Sequence, residues 1–126
     1  MKYTIFIFAF MSLNACATTT DCHEKLTQTE MTNCAITKLN RLENKLDKNI
    51  AKISSILGKD NKFDLANKNW LSYRDAHCES ISNIYMGGSL HKFVITECKA
   101  KETALRLKSL EDDYNDTISI ITKGAP

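Results

Sequence analysis

The chain has 126 residues, a formal charge of +2, five cysteines and a single proline. That length supports one hydrophobic core and not two. The near-neutral balance excludes a global electrostatic pull towards nucleic acid or an anionic membrane.

Lys2 precedes an apolar run from Tyr3 to Leu13. The run is about half of what a bilayer-spanning helix needs, so it reads as the core of a signal peptide over residues 1–17. Two processing sites compete. Leu13-Asn14-Ala15-Cys16 resembles a lipobox in which Cys16 is lipidated, and Ala15-Cys16-Ala17 fits ordinary cleavage after Ala17. Either way residues 18–126 are expected to form one exported domain, periplasmic or lipid-anchored in a bacterial cell envelope.

Both routes also remove Cys16 from disulfide duty and leave an even four: Cys22, Cys34, Cys78 and Cys98. Four cysteines in a small exported domain point to two disulfides in an oxidising compartment. The rival zinc site lacks CxxC or HxxxH spacing, so no metal and no cofactor are expected.

Thr27-Gln28-Thr29-Glu30 is a capping box. Behind it Ala35, Leu39, Leu42, Leu46, Ile50, Ile53 and Leu57 recur in steps of three and four, predicting a long helix with Gly58 as a left-handed C-cap. Asp60 or Asn61 caps a second helix with the stripe Phe63, Ala66, Trp70, Tyr73, His77, Ile81 and Ile84, ending at Gly87-Gly88. Ser89 is placed to cap a third helix starting at Leu90 and carrying Phe93, Ala100, Ala104, Leu107, Leu110, Tyr114, Ile118 and Ile121. The fold class is therefore all-α: three long helices in a small antiparallel bundle.

On that layout Cys78 and Cys98 both lie about 14 Å from the second corner, level with each other in an antiparallel hairpin. This favours the pair Cys78–Cys98, and Cys22 then folds back on Cys34. Spacing alone leaves the other two connectivities open.

Four pieces in order carry a family resemblance. Thr27 to Ala35 is similar to the TQxEMNxCA opening of the LprI-like family, and Trp70 to Cys78 resembles its WxxYRDxxC signature. Gly87-Gly88-Ser89 matches its GGS, and Cys98, Thr103, Arg106 and Leu110 match its closing CxxxxTxxRxxxL. The resemblance spans about Cys22 to Tyr114. It implies a helical, disulfide-bonded envelope protein without catalytic activity. The family takes its name from a lipoprotein that inhibits lysozyme.

Within that frame the stretch NIYMGGSLHK, residues 83–92, has two compatible readings. As local structure it is a helix C-cap followed by an N-cap. As a site, Tyr85, Gly87, Gly88, Ser89, His91 and Lys92 crowd a narrow protrusion that could plug a muramidase cleft, whose chemistry rests on two carboxylates. The alternative partner is a different envelope protein that uses the domain as a scaffold module. Because lysozymes are usually basic and this chain is not acidic, affinity would rest on local complementarity.

The remaining clusters read as structural. Trp70, Tyr73, Arg74 and Asp75, with Thr103 and Arg106, mark a structural heart, where Arg74 bridges to an acid on a neighbouring helix. His77 falls on the same stripe as a partly buried histidine. Lys38, Arg41, Lys45, Lys48 and Lys52 line one flank of the first helix, where their stems cover the seam; the other reading is a contact for an anionic envelope polymer. Glu111, Asp112, Asp113 and Asp116 read as a solvated face. No nucleophile, phosphate-loop or metal motif suggests an enzyme.

Overall fold

The computed structural model describes residues 21–25 and 27–123, except the side chains of residues 117, 118, 121 and 122. Residues 1–20, with the apolar run, Cys16 and both processing sites, lie outside it, as do the side chains of Ile118 and Ile121. A 3₁₀ turn, Cys22–Glu24, leads to three helices: α1, Gln28–Leu57; α2, Asn61–Ser82; and α3, His91–Lys123. A second 3₁₀ turn, Asn83–Tyr85, continues from α2 into the second corner. There is no strand among the described residues, and no helix long and apolar enough to cross a membrane.

Each helix starts where its local chemistry dictates. Thr27 accepts from the Glu30 amide at 3.2 Å, while the Glu30 carboxylate accepts from the Thr27 amide at 3.1 Å. These bonds satisfy donors that the helix itself cannot pair. Asp60 caps α2 by accepting from the amides of Lys62 and Phe63. Between α1 and α2, Gly58 adopts φ 71°, ψ −145°. This is not the expected left-handed cap but an extended mirror conformation essentially confined to glycine.

Two expectations for the second corner change. The α-helix ends at Ser82, before the glycines, and tightens into the 3₁₀ turn. The third helix begins at His91, with the Val94 amide donating to the Leu90 carbonyl. Leu90 therefore stands where Ser89 was expected, and a turn in which the His91 amide donates to the Gly88 carbonyl replaces the serine cap.

The bundle runs up, down and up. Lys38 meets Glu97, and Ala35 packs in one cluster with Phe93, so α1 and α3 are parallel. Ser82 meets His91, Arg74 meets Thr103, and Asn67 meets Arg106, so α2 is antiparallel to α3. The disulfides are Cys22–Cys34 and Cys78–Cys98, with Cα separations of 5.7 and 5.6 Å. Both pairings agree with those that spacing favours, and they fit an oxidising compartment.

Two apolar clusters anchor the fold. Leu46, Ile53, Phe63 and Leu110 form one, with Trp70 and Tyr114 against it. Cys22, Ala35 and Phe93 form the other at the corner end. Full burial of each large side chain here contributes about 1.5–3 kcal/mol. Along α3 the buried polar residues Thr96 and Thr103 fall between the clusters, and Arg74 reaches Thr103 from α2.

The stripe expected on α2 turns inward only in its first half, where Phe63 is buried and Trp70 packs against the same cluster. Tyr73 is 56 % exposed, and Ala66, Ile81 and Ile84 are also exposed, whereas Arg74, Cys78 and Ser82 are buried. From Arg74 onward the inward face is one residue, or about 100°, away from the apolar stripe. On α3, Ala104 is likewise exposed rather than buried.

Candidate functional site: the α2–α3 corner and its support

The corner closes the end of the bundle where α1 begins. Ile84 is 82 % exposed and Met86 70 %, with Tyr85 between them and Ser89 and Lys92 also exposed. Gly87 takes φ 81°, which lets the chain reverse. A Cβ on Gly88 would lie 3.2 Å from the Tyr85 carbonyl, and that carbonyl accepts from the Gly88 amide at 2.9 Å. The turn is therefore tight as well as exposed. A depression of about 300 Å³ runs from Gln28 of α1 along Ile84, Tyr85, Gly88 and Ser89.

Of the six residues expected to touch a partner, the structure brings Tyr85, Gly87, Gly88, Ser89 and Lys92 to this surface. His91 turns inward: its Nε2 lies 3.3 Å from the Ser82 hydroxyl, bracing the last turn of α2 against the first turn of α3. Ile84 and Met86 belong to the same surface, although sequence reasoning placed Ile84 in the core and left Met86 unused. Their position between a helix end and a glycine pair was the available signal.

Below the corner, the Cys78–Cys98 bridge ties α2 to α3, and a polar network follows. Arg74 is 5 % exposed. Its Nη1 donates to Glu43 Oε1 at 2.8 Å and to the Thr103 hydroxyl at 3.0 Å. Its Nε donates to Asp75 at 3.1 Å, and Lys99 reaches the same Asp75 oxygen at 3.2 Å. Burial works to raise the Asp75 carboxyl, but the hydrogen bonds and positive charges of Lys99 and Arg74 outweigh it and hold the group below its ordinary value.

Two guanidinium groups lie over the Trp70 ring, Arg74 at 5.4 Å and Arg106 at 5.8 Å from its centre. Arg106 donates to the Asn67 side chain at 2.7 Å, while its Nε is buried without a hydrogen-bond partner among the described residues. Trp70, Arg74, Asp75, Thr103 and Arg106 are thus linked in one group of contacts. Tyr73 does not join them; it stacks on His77 at 5.3 Å, and His77 Nε2 lies 4.0 Å from Glu102. Glu43, Asn67 and Lys99 are partners that spacing could not supply, because each is chosen by how the helices pack.

Among the described residues, no group of three His, Cys, Asp or Glu side chains is placed to hold a metal ion. The acidic residues near the end of α3 are exposed, with Asp112 paired to Lys108 and Asp113 accepting from Ser109.

Comparison with curated proteins and with solved structures gives no match. Residues 19–110 match the model of the family described as lysozyme inhibitor LprI. That span takes in the first 3₁₀ turn, both disulfides, the Arg74 network and the corner, and on it the chain belongs to the LprI lysozyme inhibitor family.

Proposed function

We propose that this protein inhibits a lysozyme-type muramidase by seating its α2–α3 corner in the enzyme's catalytic cleft. The observation that carries this reading is the exposure of Ile84 and Met86 on a tight turn of a disulfide-braced end. Two apolar side chains held out on a stiff protrusion gain contact area on insertion without first having to be ordered. Ser89 and Lys92 beside them offer a hydroxyl and a cation to the two carboxylates on which glycoside cleavage depends.

The signal-peptide reading of residues 1–17 puts the protein in the cell envelope, with a lipid on Cys16 if the lipobox is used. There it protects peptidoglycan. Metabolic labelling with a palmitate analogue, compared with a Cys16→Ser variant, distinguishes the two processing routes.

The inhibitor reading is tested by cell-wall lysis with c-type, g-type and i-type lysozymes, with and without purified oxidised protein. Stoichiometric inhibition of one class is expected. Ile84→Asp/Met86→Asp should abolish it, and Ser89→Ala/Lys92→Ala should weaken it, with helical signal and melting point nearly unchanged. Undiminished inhibition by both variants would move the site elsewhere. No inhibition of any class would leave the scaffold role, to be followed by capture of partners from envelope extract.

A further inference from the structure

The charges of α1 are sorted by side. Arg41, Lys45, Lys48 and Lys52 all point to one flank, and Glu43 and Asp47 to the other side of the Leu46 face. Glu43 is already committed to Arg74. Lys38 starts the same flank but is paired with Glu97 at 3.1 Å. The four that follow are exposed and make no ion pair among the described residues. The protein as a whole is only weakly positive, so this is a local concentration of unneutralised charge.

The row is single file. Its members follow one another at about 4.5–6 Å along the helix axis and span about 17 Å. Two depressions adjoin it: one of about 390 Å³ with Lys25, Lys38 and Arg41, and one of about 560 Å³ between α1 and α3 with Lys45, Lys52, Leu42 and Leu107. Glu111 stands on the far wall of the second.

We propose that this flank is a binding track for a linear phosphodiester polyanion, a surface separate from the corner and independent of the inhibitor reading. A one-dimensional row of cations beside a groove matches a chain of phosphates laid along it. A flat anionic bilayer fits less well, because Glu111 on the far wall of the groove would face its phosphates. Single-stranded nucleic acid lacks its usual support, since no aromatic side chain interleaves with the lysines to stack bases. No donors converge on one point, so the interaction is a sum of weak phosphate contacts and depends steeply on salt.

The test is titration calorimetry of the oxidised protein with synthetic poly(glycerol phosphate), between about 50 and 200 mM salt. With four participating cations, log K should fall against log salt with a slope near −3. The variant Lys45→Gln/Lys48→Gln/Lys52→Gln should bind at least about tenfold more weakly at low salt and lose about 2 from the slope. The matched control Lys59→Gln/Lys62→Gln/Lys68→Gln removes as much charge from the first corner and the start of α2, and should bind like the parent. Equal losses in the two variants would reduce the effect to bulk charge and overturn the proposal. Absence of binding at low salt would overturn it too, as would binding to phosphatidylglycerol vesicles with none to the polymer.

Discussion

Arg74 on α2 and Glu43 on α1 are joined by a 2.8 Å ion pair. The same guanidinium also reaches Thr103 on α3. One side chain therefore ties all three helices together between the two apolar clusters. A buried charge is tolerated at such a place only when its donors are satisfied; here Glu43, Asp75 and Thr103 satisfy them.

Arg74→Met should destabilise the fold by about 3 kcal/mol, the low end for breaking a buried pair, because Glu43 is partly exposed and can rehydrate. Glu43→Gln keeps an acceptor and should cost about 1 kcal/mol. Urea unfolding of both variants and of the double variant measures the coupling. An Arg74→Met protein as stable as the parent would remove the network from any structural role.

Asp75 makes stability depend on acid pH. Its folded-state pKa is depressed below an ordinary value of about 3.9. The unfolded chain therefore binds its proton first as pH falls. The contribution is complete above about pH 4 and is lost as pH drops through the lower folded value. Urea midpoints should fall in that window for the parent, and Asp75→Asn should flatten this part of the curve. An identical acid profile in the variant would show that other carboxylates set it.

The two disulfides should differ in effect. Cys78–Cys98 spans 20 residues and Cys22–Cys34 spans 12. Loop-closure entropy makes the first worth about 0.5 kcal/mol more, each bridge being worth about 2–4 kcal/mol. Because Cys78–Cys98 joins the two helices that flank the second corner, whereas Cys22–Cys34 only packs near Leu90 and Phe93, Cys78→Ala/Cys98→Ala should raise amide exchange in residues 83–90 more than Cys22→Ala/Cys34→Ala. Equal exchange at the corner in both variants would mean that the bridge does not stiffen it.

The two positive-φ glycines should respond differently to substitution. Gly87→Ala meets no atom within 4 Å, so its cost is the left-handed backbone alone, about 1–2 kcal/mol, and Gly87→Asn should recover part of it. Gly58→Asn should recover nothing relative to Gly58→Ala, because asparagine tolerates the left-handed region and not the conformation at ψ −145°. Thermal melts of the four variants read this out.

Much of this architecture is legible in the order of the residues. Local rules cover the capping box at Thr27, the Asp60 cap, the seven-residue stripe of α1 and the cysteine pairing, since each depends on residues near in sequence or on simple helix arithmetic. The orientation of α2 is not legible in the same way. Its apolar stripe meets the core at Phe63 and Trp70 but then runs through Tyr73, Ile81 and Ile84, whereas the face turned inward there carries Arg74, Cys78 and Ser82. Hydrophobic periodicity registers apolar side chains and is blind to a polar residue whose partners arrive from other helices. Glu43 stands 31 residues before Arg74 and Thr103 29 after it.

The candidate site divides along the same line. By itself the sequence determined that a glycine turn would stand between α2 and α3 and that two disulfides would brace the domain, because backbone permissiveness and covalent reach are local properties. Only the tertiary structure decided that Ile84 and Met86 stand exposed at the corner, that His91 folds in against Ser82, and that four cations of α1 face outward without carboxylate partners among the described residues. Those outcomes depend on the rotation of whole helices about their axes, which is set by what every other helix presents to them.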